Sequence, residues 1–308
     1  MIQISDFSFL LLILLSFLMV RFGFDSKVFD SIPKLLFTFC YPALIITSFS
    51  VVDSTLSSQY FLHSAIFAFV VTGLVFLISC GVLRGYKNSS RKEIIIFYMM
   101  IGNITFVGLP FIFFFFGALG LSLAILIGVL QDIYIWSLNY TRFSRRGSFR
   151  QTIKALGNPC FIALVVGLAV NGSGTALPEF ISMPARMLAD ATIPLALLCI
   201  GGILAQNRGI LKKLDFDVIM VVTIKTFIVP VIAFLIFRAI GVSFFLSFLF
   251  GFIMTLPAPI LSILFSKEFG CDVEFANSVF VLSVIAFSLL SVALFVLQSF
   301  GFFVIAAI

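Results

Sequence analysis

The chain has 308 residues, of which 62% are apolar and only 10% are charged, and its mean hydropathy is +1.25. A soluble domain is nearer a quarter charged, so the composition excludes an ordinary water-soluble fold and predicts an all-α membrane protein. The net charge of +6 does not indicate nucleic-acid binding, because the Lys and Arg residues fall in short connections between apolar runs.

Ten apolar segments follow one another along the chain, each predicted to be a membrane-spanning helix. The first is short and carries no cleavage site, so we interpret it as a retained span instead of a signal peptide. The ten predicted spans cover residues 6–21, 31–52, 60–83, 94–116, 119–141, 154–171, 185–206, 216–238, 243–265 and 274–302.

The basic residues predict the orientation of these spans. All but three of the 19 Lys and Arg residues lie in or beside the connections that follow spans 1, 3, 5, 7 and 9. The exceptions are Arg186, Arg238 and Lys225. Cytoplasmic connections are rich in Lys and Arg. The basic connections are therefore expected on the cytoplasmic side of the membrane, and both termini on the outer side.

Two spans are interrupted by glycine and proline at similar positions. Span 4 contains GNITFVGLP, residues 102–110, and span 9 contains GFIMTLPAP, residues 251–259. Span 2 carries YPALII and span 7 carries IPLALL, so the pairing extends beyond the interrupted spans. This pattern predicts two five-helix repeats, 1–145 and 146–308. Because five is odd, the second repeat is inverted, as in many secondary transporters.

The interruptions are predicted to form the substrate site. A helix broken by proline exposes backbone groups, which are tolerated only inside protein or beside water, and a half-helix N-terminus favours an anion. A simple proline kink is the alternative interpretation. The candidate binding residues for a small carboxylate are Asn103, Thr105, Gly108, Leu109, Pro110, Thr255, Pro257, Ala258 and Pro259.

Asp132 in span 5 and Lys225 in span 8 are ionisable residues inside apolar segments. Such residues are costly in a membrane and often functional. We expect them to couple or gate transport. Asp132 would carry a proton, and Lys225 would either pair with Asp132 or attract the anionic substrate. A structural ion pair is the alternative for each, and the sequence leaves open whether the two meet.

Other functions lack their usual motifs. The sequence has no GxxxxGK[ST] motif, no cluster of His and Cys with metal-binding spacing, and no arrangement typical of hydrolysis. The five Cys residues are scattered, and no disulfide framework is expected. We therefore predict no enzyme activity, no metal and no cofactor.

Several motifs occur in the same order as in one transporter family. They are G-N-x-x-F-x-G-L-P (102–110), N-P-x-x-x-A-x-x-x-G-L (158–168), ATIPLALLCIGGILA (191–205), K-x-x-x-x-P (225–230) and LPAP running into FSKEFG (256–270). In these motifs the sequence resembles the auxin efflux carrier family, which includes plant PIN-type carriers and bacterial malonate-type permeases. The resemblance covers nearly the whole chain.

The resemblance implies that spans 4 and 9 cross at their prolines. It also implies a scaffold of spans 1, 2, 6 and 7 that often dimerises, and a transport body of spans 3–5 and 8–10 that moves like an elevator. The cargo would be a small organic anion. The connection between the halves has only about a dozen residues, as in compact bacterial members, so we expect a bacterial inner-membrane carrier of a carboxylate other than auxin.

Two other functions remain open. A sodium-coupled organic anion symporter, as in the bile-acid family, would share the crossing helices but usually places acidic residues beside them. A non-transporting membrane sensor with the same fold would bind a ligand without moving it. Rates with and without a sodium gradient, and binding without flux, would separate these alternatives.

Overall fold

The structure is a computed structural model that describes residues 8–50, 58–139, 142–143, 159–206 and 215–299. The basic connection from Arg145 to Lys154, the repeat boundary and both termini lie outside the described residues. The helices of the described part are α1 (Ser8–Arg21), α2 (Lys27–Ser50), α3 (Gln59–Gly85), α4 (Ser89–Met100), α5 (104–116), α6 (118–139), α7 (Pro159–Gly172), α8 (Glu179–Gln206), α9 (Phe216–Ala239), α10 (Phe244–Thr255), α11 (Ile260–Glu268) and α12 (Val273–Ser299).

The described residues form helices and no strand, which confirms the predicted class of membrane protein. Seven helices among these residues are long and apolar enough to cross a membrane, if α5–α6 and α10–α11 are each taken as one, and α1 and α7 are shorter apolar helices. Large apolar side chains stay on the outside, for example Leu77, Phe180 and Leu235. Lipid tails can cover such a surface, whereas water would disfavour it.

Prolines inside the helices are accommodated by local widening. Pro42, Pro110 and Pro230 each follow a five-residue π-turn that ends two residues earlier, at 36–40, 104–108 and 224–228. A proline lacks an N–H group and its ring collides with the carbonyl four residues before it. The wider π-turn moves that carbonyl aside, so each helix continues past its proline.

The interruption of span 4 differs from the prediction in its position. The helix ends at Met100, and α5 begins at Ile104, so the break lies at residues 101–103. Pro110 is not in the break; it lies in the regular helix after the π-turn. The break forms earlier because Asn103 caps the next helix with its side chain, which accepts a hydrogen bond from the Phe106 amide at 3.2 Å.

The match between Gly102 and Gly251 was also wrong in register. The break that follows Met100 corresponds in place to the one that follows Thr255, and α4 and α10 each have 12 residues. Gly251 instead lies inside α10, where its Cα packs near the Pro230 carbonyl of α9. In the second break Pro257 and Pro259 themselves interrupt the helix, so the two breaks use different residues for the same purpose.

Gly117 separates α5 from α6. It lies between the predicted spans 4 and 5, which end at residue 116 and begin at residue 119. Its φ of +64° and ψ of −163° lie in a region that side chains disfavour. A glycine is therefore favoured at the kink between these two helices.

The helices pack in two groups. In the first, α1 packs on α8, and α2 packs on α7 and α8. In the second, α9 packs on α10 and α12, while α11 packs on α12 and α4. Glycine allows close approach within the first group, because a side chain at Gly202 of α8 would collide with the Phe29 ring of α2.

An ion cluster joins three connections at one end of the molecule. Arg91 at the start of α4 contacts Asp215 at 2.6 Å and Asp217 at 3.6 Å, before and within α9, and Asp272 at 2.8 Å, before α12. The Tyr86 hydroxyl donates to Asp217. Burial and this carboxylate raise the pKa of Tyr86 to about 12, so the hydroxyl stays a neutral donor at physiological pH.

Two further contacts join the remaining connections at the same end. Arg142, after α6, pairs with Glu93 of α4 at 2.6 Å, and Gln206 at the end of α8 donates to the Ser26 carbonyl before α2 at 2.8 Å. The connections that follow predicted spans 1, 3, 5, 7 and 9 thus lie near one another. This grouping agrees with the charge pattern, whereas the side of the membrane that it faces stays a prediction.

Candidate functional site

The two helix breaks touch each other. The backbone amide of Asn103 donates to the Pro257 carbonyl at 2.9 Å, and the backbone amide of Ala258 donates to the Ser283 hydroxyl of α12 at 3.0 Å. Each break therefore takes its backbone partners from another part of the bundle. Backbone groups exposed by a broken helix need such partners in a membrane.

Glycines allow the breaks to approach so closely. A side chain at Gly102 would place its Cβ 2.6 Å from the Leu256 Cβ, and one at Gly108 would lie 2.8 Å from a Leu256 methyl group. Leu256 is fully buried between them. The glycines of GNITFVGLP therefore serve the packing of Leu256.

A small pocket of about 40 Å³ opens beside the breaks. It is lined by the first residues of α5 and α11, including Ile104, Thr105, Ile260 and Leu261. Residues of α6 also line it. The polar or break residues around it are Gly102, Asn103, Thr105, Gln131, Asp132 and Pro259. Two helix N-termini thus meet at one pocket, an arrangement that favours negative charge.

Three buried polar atoms at or next to this pocket have no hydrogen-bond partner among the described residues. They are the Asn103 Nδ2, the Gln131 Oε1 and the Tyr41 hydroxyl. Each residue is at most 4% exposed. The Tyr41 hydroxyl lies against Gly128, which also lines the pocket. A buried polar group without a partner is unfavourable, so a polar ligand would complete these bonds.

A wider cavity of about 210 Å³ adjoins the pocket. The two share Phe37, Phe106, Ile260 and Leu261, and the wider cavity also reaches Lys34 near the start of α2. The pocket and the wider cavity therefore share a wall formed by α2, α5 and α11.

Lys225 does not line the pocket. It is fully buried in α9, and its ammonium donates to the Met99 carbonyl at 2.8 Å and lies 3.6 Å from the Met254 sulfur. The Met99 carbonyl would normally accept from the Asn103 amide in a continuous helix. Because that amide binds Pro257 instead, Lys225 supplies a donor to the end of α4, where a cation also suits the helix dipole.

The remaining predicted site residues support the breaks and do not line the pocket. Leu109 and Pro110 are buried in α5. The Pro257 carbonyl accepts from the backbone amide of Asn103 in the other break, and the Ala258 amide donates to Ser283 of α12. The Thr255 hydroxyl donates to its own helix at Phe252, and Thr255 faces a separate apolar groove of about 340 Å³ between α9, α10 and α12.

Sequence reasoning missed Tyr41, Gln131 and Gly128 as site residues. Gln131 precedes Asp132, and Tyr41 begins the YPALII motif, so both were visible as polar groups in apolar spans. Gly128 carries no chemical signal in the sequence. It leaves room for the Tyr41 hydroxyl, which would lie 3.2 Å from a Cβ at that position.

Interrupted helices that bury polar groups inside a membrane-spanning bundle are typical of membrane transporters. A family model described as "Membrane transport protein" matches residues 2–296. The chain therefore belongs to this family of membrane transporters, the auxin efflux carrier family whose motifs it carries. The search of curated proteins finds no match.

Proposed function

We propose that the protein is a secondary transporter for a small carboxylate, which binds where the two helix breaks meet. One observation carries this proposal: the starts of α5 and α11 line the same pocket as the side chain of Asn103, whose Nδ2 has no hydrogen-bond partner among the described residues. Free N–H groups and a partial positive charge at helix starts bind anions without a fixed cation. A neutral set of donors holds a carboxylate weakly enough to release it on the other side.

The proposed architecture has ten spans in two inverted repeats, with α4–α5 and α10–α11 as the interrupted spans that cross. Helices α1, α2, α7 and α8 would form the scaffold, and the others the transport body that moves like an elevator. The packing of α1 and α2 on α8, and of α7 on α2, supports this division. The proposed homodimer would form through the scaffold, as the family resemblance implies.

The proposed driving force is a proton gradient or the membrane potential. Asp132 lines the pocket and can carry a proton as the site changes sides. Lys225 would act on the geometry of the break through the end of α4. Sodium coupling is the alternative, and a sodium gradient is therefore one arm of the test.

The test is uptake of labelled malonate, succinate, lactate and an indole acid into proteoliposomes, with and without imposed proton and sodium gradients. Asn103→Ser keeps an oxygen that can cap α5 and removes the amide donor. We expect saturable uptake of one acid and a decrease of at least about tenfold in kcat/KM for this variant, as for the loss of one hydrogen bond to a charged group.

Ser122→Ala is the matched control, because the Ser122 hydroxyl donates to the Ala118 carbonyl of its own helix α6 and is not among the residues that line the pocket. Its uptake should equal that of the wild type. Unchanged kinetics in Asn103→Ser would count against the pocket. No flux of any acid through folded protein would favour the sensor over the transporter.

A further inference from the structure

The ammonium group of Lys225 contacts both interrupted spans at equivalent positions. Its nitrogen, Nζ, donates to the Met99 carbonyl at 2.8 Å and lies 3.6 Å from the Met254 sulfur. Met99 is the last residue but one of α4, and Met254 is the last residue but one of α10. The ammonium group therefore lies between the C-terminal ends of these two half-helices.

Both helix ends have lost the same backbone donor. In a continuous helix the carbonyls of Met99 and Met254 would each accept from the amide four residues later. The breaks direct those two amides to the Pro257 carbonyl and to the Ser283 hydroxyl instead. Pro257 itself has no N–H group that could replace the donor lost by Met254. Two carbonyls at the helix ends thus need a donor or a cation, and Lys225 binds the one at Met99.

The charges of this region balance. The C-terminus of a helix carries about half a negative charge, so the ends of α4 and α10 together supply about one. Lys225 is fully buried and forms no ion pair with a carboxylate in the part of the chain that the structure describes. A buried cation without a carboxylate partner needs another source of negative potential. The two helix ends provide it.

The C-terminal ends of broken helices are the places where secondary transporters coordinate sodium ions or protons. We propose that the Lys225 ammonium occupies such a cation site as a tethered substitute for a bound sodium ion, and that transport therefore needs no sodium. The position of the cation site depends only on the contacts of Lys225. Its consequence for the coupling of transport rests on the proposed function.

The covalent attachment of this cation has a direct consequence. A bound sodium ion can enter on one side of the membrane and leave on the other, which links transport to the sodium gradient. Lys225 belongs to α9, which packs on α10, so its ammonium stays with the helix ends whichever way the pocket opens. The site is neutralised without an ion gradient, and the membrane potential or a proton is left to drive the anion.

The first test is the thermal stability of purified Lys225→Ala in sodium, potassium or lithium chloride, compared with choline chloride at equal ionic strength. Alanine removes the ammonium and leaves space for a small cation beside the Met99 carbonyl. We expect one of these cations to raise the unfolding temperature of the variant by about 3 °C, as for a ligand at about ten times its Kd. The wild type and Lys225→Met, whose side chain fills the space, should show no such rise.

The second test is made on the wild type, where replacement of sodium by choline should change neither the unfolding temperature nor carboxylate uptake. A folded Lys225→Ala that none of the three cations stabilises would overturn the inference, and so would a wild type that is stabilised or driven by sodium. If Lys225→Ala does not fold, the wild-type comparison decides. Absence of any flux would refute the transporter function, and the thermal measurements would still decide on the cation site.

Discussion

Gly102 and Gly108 leave room for the side chain of Leu256, which lies in the second helix break, more than 140 residues further along the chain. A side chain at either glycine would collide with Leu256, so what each contributes is the absence of a Cβ. Both glycines have negative φ angles or lie in helix, so their role is close approach and not an unusual backbone conformation.

Gly102→Ala is expected to destabilise the protein by about 1–3 kcal/mol, as for other overpacked cores. The added Cβ would lie 2.6 Å from the Leu256 Cβ and 3.2 Å from the Ile253 carbonyl, and neither atom can move unless the backbone at the end of α10 moves. Thermal unfolding in detergent measures the change. Gly81→Ala is the control, because its Cβ would meet nothing within 4 Å; equal stability of both variants would contradict the packing argument.

Lys225 shows how a charged residue can act on a backbone. Its ammonium is fully buried and replaces the lost intrahelical partner of the Met99 carbonyl. Lys225→Met keeps the length of the side chain and removes the donor. We expect a loss of about 1–3 kcal/mol, because a buried carbonyl is left without its partner.

The measurement is again thermal unfolding, beside transport at a temperature where both proteins are folded. Lys267→Met is the matched control, since Lys267 is exposed at the end of α11. If Lys225→Met were as stable as the wild type and transported normally, the end of α4 would not depend on this lysine.

At the scale of helices, hydropathy predicted most of the elements and local chemistry decided their breaks. The predicted spans 4 and 9 correspond to α4–α5 and α10–α11, because long apolar runs with glycine and proline leave few alternatives. The position of the first break could not be read from Pro110, since a π-turn absorbs a proline and Asn103 supplies a cap seven residues earlier. Tertiary partners such as Ser283 and Lys225 then satisfy the exposed backbone, and sequence spacing does not reveal them.

The same limit applies to the site. Asn103, Thr105, Asp132 and Pro259 were predicted from local motifs and do line one pocket. Lys225, predicted in the same way, lies elsewhere, because its distance from Asp132 depends on how α9 packs against α4 and α10. Gly128 and Tyr41 became visible only when α2 and α6 were brought together.

The Arg91 cluster links the starts of α4, α9 and α12, so its removal should loosen this end of the helices. The side chains are about a quarter to two-fifths exposed, so solvent weakens each pair. Arg91→Gln is expected to lower stability by about 1 kcal/mol, and less at high salt because exposed charges are screened. Unfolding temperatures at two ionic strengths test this, with Lys92→Gln as the neighbouring control; a loss that does not depend on salt would indicate packing against Phe275 instead.

At the scale of the whole molecule, the charge pattern and the contacts between connections agree on one end of the bundle. Arg91, Arg142 and Gln206 each join connections that the positive residues place on one side. The proposed inverted repeat would give this arrangement, since each of its halves would cross the membrane an odd number of times. The charge pattern predicts that this end faces the cytoplasm and not the outer side.

Single-cysteine labelling can make that distinction. In a protein whose five native cysteines are replaced, Lys87→Cys tests the connection before α4 and Ala176→Cys the connection between α7 and α8, both at exposed positions. Three predicted spans separate them, so they should lie on opposite sides. A membrane-impermeant maleimide should label residue 176 in intact cells and residue 87 only after permeabilisation. The reverse pattern would invert the orientation, and labelling of both from one side would refute the odd number of crossings on which the inverted repeat depends.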